Sequence, residues 1–521
     1  MPEYYTPGVY IEEIEIGSKP IAGVSTSTAG FLGEAQRGPT VPTLVTNFPE
    51  FQRVFGGYYD QSKFLPYAVQ GFFDNGGTIL YVARIVQTSA TAASLELNSS
   101  GKSALSATAV GEGAWGDGVA VKVATGSLST TASPRFKISV FYWSKPPSTL
   151  YDPETDLKST PRPDVSESFD NLSVDPASTD YCQNRVNGTS NLITLAKGPN
   201  DSGAMPDPVA VTLMAGGSDG TGSGITLADY ERTDTDAPGK RKGLTGLGAI
   251  DGISILYAPN ATSIGGFAGL PEAMITQCET LKDRFAIIDA PQGSTDVSGQ
   301  SNNSLVPRNS WDTSYAAYYY PWIKVVDPSS GMPILVPPGG YMAGIYARVD
   351  DSEGVFKAPG NETVVDAADL EFQITAAEQG ILNPRGVNVI RAFPGRGILI
   401  WGARTLSSDT LWQYINVRRL FIFLEQSIYQ GTQWVVFEPN DERLWARVVG
   451  SVSEFLTRVW RDGALMGDTA DQAFFVIADR STMTQDDIDN GRLIVMVGVA
   501  PVKPAEFVIF RIAQFTGGAS S

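Results

Sequence analysis

The pentapeptide GGSDG at 216 to 220 matches the G-x-S-x-G pattern that presents a serine nucleophile, here Ser218, on a sharp turn. Such a serine needs a base to take its proton, and the 521-residue chain contains no histidine. The same absence removes Cys-His catalysis, the common zinc sites and most general-base schemes. With no strand before it and no helix after it, GGSDG is expected to be a flexible loop. RVDDSEG, beginning at Arg348, resembles half of a calcium loop but lacks the alternating ligands and the closing glutamate, so an acidic turn is expected there. No phosphate-loop pattern occurs, and DGTGSGIT has neither the lysine nor the preceding apolar strand. A carboxylate pair of the glycosidase kind stays open in principle, although no pair is singled out. No catalytic residue, metal ligand or cofactor site is assigned.

The elements that would position any site belong to a chain of several compact parts. At about 150 residues per domain, 521 residues predict three or four. A hydrophobic content of 42% with 18% charged residues supplies material for several cores, and 54 Gly with 33 Pro predict many turns. The net charge of −18 argues against a coat for nucleic acid or an anionic membrane, which rests on Lys and Arg. The excess of acid lies in residues 1 to 384; from Arg385 onward, 13 Arg and one Lys balance 14 acids. An acidic part keeps a particle soluble, and a balanced Arg-rich part suits contacts between subunits. MPEYYTPGVY shows no secretory signal, LIVMVGVA is too short to span a bilayer, and Cys182 and Cys278 make no disulfide framework. A soluble protein made inside the cell is expected.

Along the chain, PGVYIEEIEI at 7 to 16 reads as an extended arm, isolated by Pro-Gly before it and GSKP after it. LPYAVQGFFDNGG reads as a helix closed by Gly76 and Gly77, and TILYVARIV as the strand after it. The next stretch is rich in Ser, Thr and Pro, with short β-like runs such as GVAVKVAT and RFKISVFYW. ISILYAPN and RFAIIDAP read as buried strands with a helix around LPEAMITQCETLKD between them, a parallel crossover. One later helix is expected from an N-cap at Ser408 to Gly431, and another from Asn440 to Gly463. In the second, Leu444, Val448, Val452, Phe455 and Val459 form an apolar stripe, and Arg443, Arg447, Arg458 and Arg461 share another face. An acidic partner or a solvated face would each account for those arginines. The final apolar run, PAEFVIFRIAQF at 504 to 515, is apolar on both sides and reads as a covered strand.

Taken together, these stretches resemble a contractile tail sheath protein of contractile phages, pyocin-like particles and related injection systems. The likeness runs through PGVYIEE, STAGFLGEAQRGP, GEGAWGDGVAVKV and FDNLSVDPASTDYCQNRVNGTSNLI. It continues in PPGGYMAGIYARVDDSEGVFKAPGNE. It is densest in GVNVIRAFPGRGILIWGARTL, YINVRRLFIFLEQSIYQGTQWVVFEPNDERLW and LIVMVGVAPVKPAEFVIF.

The resemblance implies a mixed α/β, multi-domain chain. It would comprise an N-terminal β-arm (1–20), an N-terminal part of the sheath core (21–90), a β-rich outward insertion (91–240), an α/β middle domain (241–385) and a C-terminal core domain with a terminal β-strand (386–521). It implies a homo-oligomer of stacked hexameric rings around an inner tube, capped and held by baseplate and terminator proteins. No enzyme, cofactor, nucleic acid or stable membrane insertion is implied. Assembly would take place in the bacterial cytoplasm, as part of a phage tail or injection particle. Links between copies would be made by an arm carrying Val9, Tyr10, Ile11, Glu12, Ile14 and Ile16, and by a C-terminal strand carrying Glu506, Phe507, Val508, Ile509, Phe510, Arg511 and Ile512, each adding to another copy's sheet. Arg443, Arg447, Arg458 and Arg461 are the candidate inner-tube contact. A surface-layer or adhesin protein, which should carry an export signal, and a carboxylate-based enzyme are the alternatives.

Overall fold

The computed structural model describes residues 20–198, 203–232, 237–300, 303–509 and 511. The chain divides into two compact units, a larger one of Ser25–Arg419 and a smaller one that joins Met1–Val24 to Leu420–Ser521.

The larger unit begins with Ala29–Gly33 (β1), Thr43–Val45 (β2), the helices Phe48–Phe55 (α1) and Leu65–Asp74 (α2), and Leu80–Arg84 (β3). Asn47 caps α1 by accepting a hydrogen bond from the Glu50 N–H, and Pro49 stands in its first turn, where a missing N–H costs nothing. Seven strands follow: Ser94–Ser99 (β4), Lys102–Ala109 (β5), Val119–Thr125 (β6), Phe136–Tyr142 (β7), Val165–Leu172 (β8), Ile193–Lys197 (β9) and Val209–Leu213 (β10). They form two antiparallel sheets, β4-β5-β9 and β10-β6-β7-β8. Alternate residues such as Leu105, Ala107, Val121, Val123, Ile138 and Val140 are buried in one core.

The chain then returns to the first sheet through Ile255–Tyr257 (β11), the helix Gly269–Leu281 (α3), Phe285–Asp289 (β12) and Ala316–Tyr320 (β13). Ile323–Val326 (β14), Pro333–Val336 (β15) and Asp369–Leu370 (β16) form a small sheet, and the helix Gly339–Ser352 (α4) follows β15 in the chain. Val387–Phe393 (β17) and Gly397–Ile400 (β18) complete the large sheet, whose order is β18-β17-β13-β12-β11-β1-β3-β2. Its six inner strands run parallel and its two edges are antiparallel. Strands β1, β12 and β13 are buried at every residue, as a parallel sheet covered on both faces requires. Leu256, Ala286, Ile288 and Tyr318 pack with Leu270, Met274 and Cys278 of α3. On the other face, Phe31 meets Phe72 of α2 at 5.4 Å, and Phe285 meets Tyr346 of α4 at 6.3 Å. The crossover from β11 through α3 to β12 is parallel, as the two apolar runs and the helix between them predict.

Two sequence expectations change here. RVDDSEG is not a free acidic turn: Arg348 to Ser352 are the last residues of α4, and Asp350 is buried against Arg419. GGSDG is tied down instead of free, since Ser218 exchanges backbone hydrogen bonds with Thr91 and its hydroxyl accepts from the Gly220 N–H. Among the described residues no group of three or more Cys, Asp and Glu is placed to hold a metal ion.

Candidate assembly surfaces

The smaller unit contains three pieces that could join one copy to another. Its first helix, Ile415–Gly431 (α5), begins in the larger unit and continues into the smaller. It starts at Ile415 and not at Ser408, because Ser408 is drawn away as a turn: its N–H and hydroxyl both donate to Asp312, at 2.8 and 2.5 Å. Residues 20 to 24 lie along this helix, with the Val24 N–H donating to Ser427 at 3.1 Å and Ile21 packed where a side chain at Gly431 would collide with it.

The second helix, Glu442–Arg461 (α6), is capped by Asp441, whose carboxylate accepts from the Leu444 N–H at 2.9 Å. Asn440 is not the cap; its side chain accepts from the Trp445 indole at 2.8 Å. Leu444, Val448, Val452, Phe455 and Val459 are all buried, so the apolar stripe faces the unit's core. The four arginines of the opposite face are exposed and differ in their contacts. Arg447 stacks over Trp434 at 4.5 Å and lies 3.7 Å from Glu438, while Arg458 donates to the Ile21 carbonyl at 2.6 Å. Arg443 and Arg461 make no ion pair or side-chain hydrogen bond among the described residues. Two positive charges are thus available to a partner, and two are engaged within the chain. Periodicity placed all four together, but their distant partners left no sequence signal.

The third piece is a hairpin of Phe474–Ile477 (β19) and Met496–Val499 (β20), paired antiparallel with Phe475 opposite Gly498 and Ile477 opposite Met496. Both outer edges lack a strand partner among the described residues. A two-stranded sheet is marginal alone, and open edges accept further strands. Phe475 and Met496 are exposed, at 49% and 52%. Beside the hairpin runs an open groove of about 680 Å³, lined by Glu442, Trp445, Ala446 and Val449 of α6 and by Val476, Ile477 and Arg480. Arg480 lies 3.9 Å from Glu442 and 6.0 Å over Trp445, so the groove carries charges of both signs beside its apolar lining. Asp479, bonded by Ser481, is held below the usual carboxylate range.

Of the terminal residues expected to join copies, Val9, Tyr10, Ile11, Glu12, Ile14 and Ile16, together with Phe510 and Ile512, lie outside the described residues. Glu506, Phe507, Val508, Ile509 and Arg511 belong to no strand within this chain. Phe507, Val508 and Ile509 are 72%, 69% and 79% exposed, an apolar run left uncovered among the described residues. No helix among the described residues is long and apolar enough to cross a membrane.

The model of the phage tail sheath protein central domain matches residues 271–406, and that of the phage tail sheath C-terminal domain matches residues 407–515. The tail sheath protein of Burkholderia phage BcepMu is 28% identical over 305 residues, which cover 56% of this chain and 61% of the relative's length. A putative prophage major tail sheath protein of Pseudomonas aeruginosa is 25% identical over 285 residues, covering 53% of this chain and 70% of the relative. Among solved structures, the sheath complex of an extracellular contractile injection system, PVC, in its contracted state matches with a TM-score of 0.59 over 99% of each chain at 22% identity. A sheath tail protein of Listeria innocua matches with the same TM-score at 11% identity, over 93% of this chain and 96% of that one. At these identities the structural likeness is one of fold.

Proposed function

We propose that the chain is a contractile tail sheath protein, a structural, non-catalytic subunit that polymerises as stacked hexameric rings around an inner tube. The sheath contracts to drive that tube through a target envelope. Two observations together support this reading: the two-stranded hairpin β19–β20, with Phe475 and Met496 exposed, and the exposed apolar run Phe507 to Ile509. In the assembled sheath, the arm at Val9 to Ile16 and the segment at Glu506 to Ile512, each from a neighbouring copy, add strands to the hairpin's open edges.

One added strand makes about four hydrogen bonds, each worth roughly 0.5–1.5 kcal/mol net. Burial of its apolar side chains adds about 25 cal/mol per Å², offset in part by the cost of ordering the arm. Each link is moderate, and every copy makes it, so the mesh stays connected while the larger units move. The work of contraction comes from the difference between two packings and not from nucleotide hydrolysis. Arg443 and Arg461 are the inner-tube contact, with Arg447 and Arg458 holding that face in shape. Baseplate and terminator proteins bound the two ends, and assembly takes place in the bacterial cytoplasm, as a phage tail or an injection particle.

The test is negative-stain electron microscopy of the purified protein with and without residues 1 to 20. Striated hollow tubes from the full chain alone support both the sheath and the arm. Tubes from both versions overturn the role of the arm, and a full-length protein that stays as small discrete particles even with inner tubes present overturns the sheath.

A further inference from the structure

The two chain crossings between the compact units, Val24 to Ser25 and Arg419 to Leu420, are each followed or preceded by a residue bound to one buried carboxylate. Asp350, near the end of α4, takes a bidentate pair of hydrogen bonds from Arg419: Nη1 to Oδ1 at 2.9 Å and Nη2 to Oδ2 at 2.6 Å. The Thr26 hydroxyl donates to Asp350 Oδ2 at 2.6 Å, and Arg419 Nη2 also donates to the Thr26 carbonyl at 2.8 Å. Three residues, far apart in sequence, thereby close a ring of hydrogen bonds. The Asp350 and Arg419 side chains are each only 4% exposed. Beneath them, the guanidinium lies 4.8 Å from the ring of Tyr346, whose hydroxyl is hydrogen-bonded to that of Tyr319 in β13 at 2.6 Å. The node is therefore seated, through Tyr346, on strand β13 of the large sheet.

A buried ion pair is a poor way to gain stability, because desolvating both charges cancels most of their attraction, and apolar replacements of similar volume often do as well. What such a pair supplies is geometry. A planar guanidinium bound at two points to a carboxylate fixes distance and orientation together. Asp350 uses that geometry on the first residues of one crossing and the last residue of the other.

We propose that Asp350 is a positioning residue that clamps both crossings to one point of α4, so that a pull arriving through either segment enters the larger unit at the same joint. The proposal rests on the sheath reading for its purpose. There, residues 1 to 24 and 420 to 521 carry the links between copies, and a single joint makes the two links move the larger unit together. The clamp itself is a property of the single chain and can be measured without assembly.

The test is hydrogen–deuterium exchange on the full-length chain, comparing wild type with Thr26→Val and with the double variant Asp350→Leu/Arg419→Met. The first removes one neutral donor, and the second removes both charges, so neither leaves a buried ion unpaired. The expected result is exchange faster by about tenfold in residues 20–28 and 415–423, in line with one or two lost hydrogen bonds. Exchange in β12 and β13 stays at the wild-type rate. Unchanged exchange in residues 20–28 and 415–423 with Thr26→Val overturns the clamp. So does an equal rise in β12 and β13, which would make the node a general support of the core. Tube formation by the wild type is scored separately: its failure counts against the sheath reading, while the exchange result decides the clamp.

Discussion

Arg458 donates a hydrogen bond at 2.6 Å to the backbone carbonyl of Ile21, a residue 437 positions away in the chain. Its guanidinium thus stitches residues 20 to 24 to α6, although its position on an arginine-bearing face suggests an outward role. Arg458→Ala is expected to lower stability by about 1 kcal/mol, because a charged donor is lost from a site that solvent still reaches. Arg443→Ala and Arg461→Ala should stay within about 0.5 kcal/mol of wild type and instead weaken sedimentation with inner tubes. Thermal unfolding and co-sedimentation separate the two behaviours.

Phe507 and Ile509 are exposed in the single chain, so changing them costs its fold little. Phe507→Asp and Ile509→Asp are expected to leave the unfolding midpoint unchanged and to abolish tubes in electron micrographs. A fall in the midpoint equal to that of a core substitution would place these side chains in the subunit's own core.

Gly340 lies in the first turn of α4, where a Cβ would stand 2.6 Å from the Ala68 backbone of α2. Helix propensity alone favours Ala over Gly by about 1 kcal/mol. Overpacking a backbone contact costs about 1–3 kcal/mol, and here it wins. Gly340→Ala is expected to be destabilising by chemical denaturation, against the propensity trend. Gly380→Ala, with open space around its position, should not be.

Asp289 ends β12 with its carboxylate taking the Tyr257 hydroxyl and the Gly339 N–H, both at 2.7 Å. Burial pushes its carboxyl up to about 7 from an ordinary 3.8, against the pull of those two donors. A raised folded value means that the folded state holds the proton more tightly. The stability from this group is full below the unfolded value and is lost as pH rises to about 7, a change of about 4 kcal/mol at 1.4 kcal/mol per unit. Asp327 has the opposite sign. Burial raises it, but hydrogen bonds from Ser330, Ser329 and Gln61 outweigh that and hold it well below the usual range, so its contribution is lost only in strong acid. Asp289→Asn should flatten the stability profile between pH 4 and 7, and Asp327→Asn should flatten the acid limb below it. Urea midpoints across pH check both.

Much of the fold was legible where local pattern and tertiary demand agree. The apolar runs ending β11 and β12 can only be covered strands, and the helix between them has the length of a parallel crossover. The stripe from Leu444 to Val459 predicts its own burial in the same way. Local signals failed where a distant partner competes for the same group. Ser408 has the chemistry of a helix cap, but Asp312 takes both of its donors. The acids of RVDDSEG suggest solvent, but Asp350 meets an arginine and a threonine that nothing nearby in sequence announces. The apolar run Phe507 to Ile509 is legible in the sequence as well, but the sequence reads it as a covered strand, and in this chain its side chains are exposed.

The smaller unit is built from residues on both sides of a 395-residue insertion, Ser25–Arg419. On a ribosome adding roughly 5–20 residues per second, its first segment therefore waits tens of seconds for its partner helices. The larger unit has all of its strands by then and can fold first. A nascent chain consequently offers no complete β19–β20 hairpin until Val499 has been made, well after every strand of the larger unit.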